Sequence, residues 1–196
     1  MRGSRRFSQA ISEGDGISLL AEVGDAAHAA GAEAQGAEGV VVRSHVSGVR
    51  DATELPILWC PPGTIEDARS VGADACVIAI EGLEDDDGRL ERLYDEALEL
   101  GLDCVVEVRD EDELQLALDR LDPEIFLLSA DRAARGGGLE HVLGLLPDVP
   151  AGKLAVAEFP AAAPEDVGEL ERAGVDAVIV GIADVAVLAG GPSSES

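Results

Sequence analysis

One unit recurs along this chain and limits the folds open to it: a short apolar run that ends at an acid or a small residue and feeds a segment with helical spacing. It is clearest between Gly101 and Leu118. Leu102–Val108 is a mostly apolar run with Asp103 at its start and Glu107 near its end, after which Arg109 and Asp110 turn the chain. Glu111–Leu118 then places Leu114, Ala117 and Leu118 at helical spacing. A buried strand that ends in an acid and feeds a helix is one βα unit with a candidate site residue at its mouth.

Seven other runs read as strands: Ile17–Val23, Gly39–Arg43, Pro56–Trp59, Asp74–Ile80, Glu124–Leu128, Leu154–Glu158 and Asp176–Val180. Helices are expected from a cap at Asp25 to about Gln35, from a cap at Thr64 through Val71, and over Asp87–Leu100, Leu139–Leu146 and Pro164–Ala173. The second strand leaves room for a turn or so of helix, so the helices after strands 1, 2 and 8 are expected to be reduced. Two helix-to-strand joints, Val71-Gly-Ala-Asp-Ala and Ala173-Gly-Val-Asp-Ala, are alike, with Gly ending the helix.

Eight nearly continuous apolar strands, each with a helical segment after it, call for a parallel sheet covered by helices. Closure into an α/β (β/α)8 barrel removes the two edges that an open sheet would leave. A doubly wound open sheet is the alternative, but no Gly-x-Gly-x-x-Gly follows the first strand. The chain, 1–196, is expected to be a single barrel domain with 1–14 as an N-terminal segment and 190–196 as a disordered tail. At 196 residues it would be short, since such barrels typically run to about 250.

Charge narrows the partners. Against 40 acids stand 14 basic residues, for a net charge of −26, and Lys153 is the only lysine. Such a surface repels nucleic acid and anionic membrane, so neither is an expected partner. A high-salt cytoplasm or a GC-rich genome accounts for the acidity more simply than a binding patch does. Three cysteines without framework spacing (Cys60, Cys76, Cys104) suit a reduced, cytoplasmic protein. No signal-peptide run or membrane-spanning stretch is evident.

With the strands placed, the order of motifs resembles the indole-3-glycerol phosphate synthase family, the (β/α)8 lyases of tryptophan biosynthesis. Ile17-Ser-Leu-Leu-Ala-Glu-Val is similar to that family's first strand, Ile-Ser-x-Ile-Ala-Glu-x-Lys, and Leu55-Pro-Ile-Leu to its third. Ala68-Arg-Ser-Val-Gly-Ala-Asp-Ala resembles the approach to its fourth, Leu102–Glu113 its fifth strand and helix, Val156-Ala-Glu its seventh, and Gly174-Val-Asp-Ala-Val-Ile-Val-Gly its eighth. The resemblance implies catalytic acids at Glu22, Glu107 and Glu158, substrate binding at Ser129 and Gly181, a small phosphorylated metabolite as ligand, and no cofactor or metal.

The chain departs from the family where the chemistry is most demanding. The family's two lysines, at the ends of strands 1 and 3, are replaced by Gly24 and Cys60. Its Asn-x-Arg on strand 6 becomes Ser129-Ala-Asp131, and its Glu-Ser-Gly on strand 7 becomes Glu158-Phe159-Pro160. Lys153 precedes strand 7 and belongs to the opposite face. The expectation is therefore a family barrel without synthase activity, its three acids vestigial and its cationic half gone. Retained carbon–carbon lyase activity, a non-catalytic binding or assembly role, and a metal-dependent enzyme using Glu22, His45 and Cys60 remain as alternatives. The acidic run Glu84-Asp85-Asp86-Asp87 lacks the spacing of a calcium loop, and Gly136–Gly138 reads as a flexible connector.

Overall fold

The computed structural model describes residues 7–14, 16–60, 64–83, 88–130, 138–159 and 163–190. Its strands are β1 (Ser18–Glu22), β2 (Gly39–Val42), β3 (Ile57–Trp59), β4 (Ala75–Ala79), β5 (Asp103–Val108), β6 (Ile125–Ser129), β7 (Leu154–Glu158) and β8 (Ala177–Gly181). All eight pair in parallel, in chain order, and β8 returns to β1 to close the barrel. The open-sheet alternative is excluded. Each strand expected from the apolar runs is present, with no end shifted by more than one residue.

Helices α1 (Phe7–Ser12), α2 (Ala26–Ala32), α3 (Val49–Ala52), α4 (Ile65–Ser70), α5 (Arg89–Glu99), α6 (Glu111–Arg120), α7 (Gly138–Leu145), α8 (Pro164–Ala173) and α9 (Ile182–Ala189) complete the order. Local chemistry starts several of them. Asp25 caps α2 by accepting from His28 N at 2.8 Å, and Asp110 caps α6 by accepting from Glu113 N at 2.8 Å. Thr64 and Asp67 form a capping box on α4, Asp67 N donating to Thr64 Oγ1 at 3.1 Å and Thr64 N to Asp67 Oδ2 at 2.7 Å. The helix after β2 is the single turn α3.

The two similar joints do the same mechanical job. Gly72 and Gly174 take left-handed φ of 73° and 94°, a region that favours glycine, and so end α4 and α8. The aspartate two residues on then clamps the neighbouring strand. Asp74 Oδ2 accepts from Ile57 N at 2.9 Å, and Asp176 Oδ2 accepts from Ala155 N at 2.7 Å. Both lie at the strand starts, the face of such a barrel associated with stability. Lys153 is there too, paired with Asp122 at 2.7 Å.

Burial raises the pKa of Asp176 more than its backbone hydrogen bonds lower it. A raised folded pKa means that this carboxyl adds stability below its unfolded pKa and loses it as pH rises through the folded one. Asp176→Asn keeps an acceptor for Ala155 and removes the titration. Urea unfolding across about pH 3 to 6 is expected to lose this component of the fall in stability with rising pH.

The core has two parts. The larger lies between the sheet and the helices and includes Val42, Trp59, Cys76, Cys104, Phe126 and Val180. The smaller fills the barrel with Leu20, Val41, Leu58, Val77, Val105, Leu127, Val156 and Ile179. It also contains Phe7 and Ile11 of α1, buried at 0% and 2% exposure. The sequence marks 1–14 only as an N-terminal segment. The structure makes part of it the plug at the strand-start end, where Ser8 N donates to Asp103 Oδ2 at 2.9 Å.

Candidate functional site

Strand alternation decides what faces the mouth. Within each strand, inward residues come every second position. Glu22 thus extends the row of Leu20, Glu107 that of Val105, Ser129 that of Leu127, and Glu158 that of Val156. The register agrees: Glu22 lies opposite Gly181, Ala79 opposite Glu107, and Ser129 opposite Glu158. The five residues singled out from sequence therefore stand at the strand ends on one rim.

A sixth residue joins them that sequence reading passed over. Arg43 follows β2 in the inward row of Val41, and its guanidinium ties two of the acids together. Its Nε donates to Glu22 Oε2 at 3.1 Å and its Nη2 to Glu158 Oε1 at 2.5 Å. Glu22 is on the adjacent strand, but Glu158 lies three strands away through β1 and β8. Between them β8 ends in Gly181, which has no side chain to compete for the space. The expectation of a mouth whose cationic half had gone, drawn from positions 24 and 60, did not include this arginine. Gly24 and Cys60 bring no charge to the ends of β1 and β3, and the described cation between these acids is the arginine after β2.

The electrostatics follow from this cluster. Burial lowers the pKa of Arg43, but Cys60, Glu158 and Glu22 together outweigh it and the net shift is upward. Cys60 is fully buried, and desolvation pushes its thiol up to about 12 despite the opposing influence of Arg43. Glu158, Glu107 and Glu22 add to the rise. A thiol so placed is neither nucleophile nor ready metal ligand at neutral pH. Cys60 is expected to resist iodoacetamide in the native protein at about pH 8, as read by mass spectrometry, and to react once the chain is unfolded.

On the other side of the rim, Ser129 Oγ donates to Glu107 Oε1 at 2.7 Å. Ser129 is buried, so this hydroxyl is committed to the carboxylate. Just outside, Arg109 pairs with Glu81 at 2.6 Å and with Glu113 at 2.6 Å, and its backbone carbonyl meets His141 Nε2 at 2.6 Å. An open groove of about 430 Å³ lies beside it, lined by Asp110, Glu111, Asp112, Glu140, His141, Gly144 and Leu145.

Among the described residues, no three His, Cys, Asp or Glu side chains converge as a metal site. Glu22, His45 and Cys60 are not brought together as ligands. His45 is exposed, whereas Cys60 is buried in the barrel. Asp131, Pro160, Glu84–Asp87, Gly136, Gly137 and the 191–196 tail lie outside the described residues. No helix among the described residues is long and apolar enough to cross a membrane.

Comparison with known proteins agrees with the order of strand motifs. The model of the indole-3-glycerol phosphate synthase family matches residues 44–186. Indole-3-glycerol phosphate synthase of Acidithiobacillus ferrooxidans is 35% identical over 141 residues, covering 70% of this chain and 53% of that protein. The Nocardioides enzyme of the same name is 38% identical over 138 residues, with 68% and 52% covered. The chain thus spans about half the length of the curated relatives it matches.

Solved structures add the fold. N-acetylmannosamine-6-phosphate 2-epimerase from Clostridium perfringens superimposes with a TM-score of 0.65 at 11% identity, covering 85% of this chain and 86% of that one. A mutant tryptophan synthase alpha-subunit from Pyrococcus furiosus gives 0.64 at 14%, covering 89% and 90%. Matched over most of its length by the family model, and at 35% identity by a curated member, the chain belongs to the indole-3-glycerol phosphate synthase family.

Proposed function

We propose that this barrel has left the synthase reaction of its family and keeps the mouth as a closed arginine–carboxylate lattice. The observation that carries this reading is the bonding of Arg43 to Glu22 and Glu158 where the family would present lysines at positions 24 and 60. Ring closure with loss of carbon dioxide and water calls for proton donors. A guanidinium stays protonated throughout the physiological range and so cannot act as a general acid. The pairing raises the pKa of Arg43 further against the effect of burial. Removing one positioned general acid usually costs about 10²–10⁴ in rate, and here two are replaced.

The same geometry argues against a tight grip on a phosphorylated metabolite. Among the described residues, Glu22, Glu107 and Glu158 would face its phosphate with Arg43 already engaged by two of them.

The test is turnover of the indole-forming substrate by purified protein, with Glu107→Gln as control. The expected result is no product above that control. Product formation that Glu107→Gln abolishes would restore the lyase reading. A thermal-shift titration with phosphorylated sugars complements it. A ligand at about 100 Kd adds about 2.7 kcal/mol, a shift easily seen, and none is expected at millimolar concentration.

A further inference from the structure

We propose that Cys76 and Cys104 form a redox-modification site, a pair of thiols that a hydroperoxide oxidises to a disulfide linking β4 to β5. The site is separate from the mouth and does not depend on the reading of the synthase reaction.

The pairing is set by the barrel. Cys76 and Cys104 are register partners on adjacent parallel strands, and both face the layer between sheet and helices. Neighbouring strands lie about 4.7–4.9 Å apart, inside the span of about 4.4–6.8 Å between Cα atoms that a disulfide bridges. Both are free thiols, and Cys76 is the largest influence raising the pKa of Cys104. Cys60 cannot substitute for either one. It precedes the mouth on the inner face, in the cluster that fills the barrel.

Access is through α5. Cys76 and Cys104 are 1% and 5% exposed, and Cys104 Sγ lies 3.6 Å from the carbonyl of Tyr94, to which it donates. Tyr94 is half-buried, and its phenol is raised to about 12, first by burial and then by the nearby Cys104. Outward movement of this one turn would uncover the sulfur.

The chemistry balances without a cofactor. With α5 moved outward, the Cys104 thiol gives its proton to water and the thiolate attacks the peroxide oxygen; the O–O bond breaks, a sulfenic acid forms, and the leaving oxygen takes a proton from water to depart as an alcohol, or as water from hydrogen peroxide. Cys76 then attacks the sulfenic sulfur, the S–S bond forms, and the oxygen leaves as water. The pair loses two electrons to the peroxide. Its interaction with Cys76, burial and nearby acids all raise the pKa of Cys104, so in the closed barrel it is as unreactive as Cys60; oxidation proceeds from the state in which α5 has moved outward, and its rate is expected to climb with pH.

The test treats the full chain with hydrogen peroxide, alkylates it under denaturing conditions and maps its peptides by mass spectrometry. The expected product is a peptide pair joined through residues 76 and 104, lighter by two hydrogens and restored by dithiothreitol. Cys60→Ser is expected to give the same product at the same rate. Tyr94→Ala is expected to speed it about tenfold by loosening the cover. Two freely alkylated thiols at 76 and 104 after treatment, or cross-links that run through Cys60, would overturn the proposal. Since wild-type protein alone decides it, a variant that fails to fold leaves the result intact.

Discussion

Replacing Arg43 by methionine is expected to destabilise the barrel by about 1 to 3 kcal/mol near pH 7 and to do so less as the solution is made acid. Methionine keeps much of the apolar stem and removes the charge. Glu22, Glu107 and Glu158 are then left on one rim without the guanidinium that joined two of them. Deleting one member of a fully buried pair costs about 3 to 5 kcal/mol, because the other charge stays behind unpaired. The side chains here are 23% exposed for Arg43, 16% for Glu158 and 44% for Glu22, so water relieves part of that cost. Protonating the acids removes their mutual repulsion, which gives the sign of the pH effect. Urea unfolding of both proteins near pH 7 and near pH 4 measures it. An equal loss at both values would mean that packing, not charge, is what Arg43 contributes.

Phe7→Ala is expected to cost about 3 to 5 kcal/mol, the range for emptying a buried aromatic site. Phe7 is fully buried within the cluster that fills the barrel and comes from a helix of six residues. A helix that short has no stability of its own in water. Its anchors are Phe7, Ile11 and the bond from Ser8 N to Asp103. Loss of Phe7 is therefore expected to release α1 as well as leave a cavity. Denaturant unfolding gives the stability, and amide exchange at Ala10 and Ile11 reports the helix. A cost below about 1 kcal/mol would mean that α1 only drapes the barrel.

The strands were legible because each is a continuous apolar run between helical segments, and a buried parallel strand needs nothing else to declare itself. Gly72 with Asp74 and Gly174 with Asp176 were legible as joints for the same local reason. The rim acids followed from position and alternation, since an inward residue near the end of a barrel strand faces the mouth whatever its role.

Three features were decided only by tertiary structure. Residues 7–12 place Phe7, Ala10 and Ile11 at helical spacing, but over too short a run to signal a helix, and packing beneath the barrel makes them one. The partnership of Cys76 with Cys104 needs the β4–β5 register, which no spacing along the chain reveals. Arg43 closes a run of valines and looks like any strand-end charge. Its reach to Glu158 exists because β8 returns to β1 and ends in a glycine. What the sequence by itself determined was the succession of βα units and the acids on their rim. What closure decided was the charge balance of that rim, because a charge acts on what lies near it in space and barrel closure sets those neighbours.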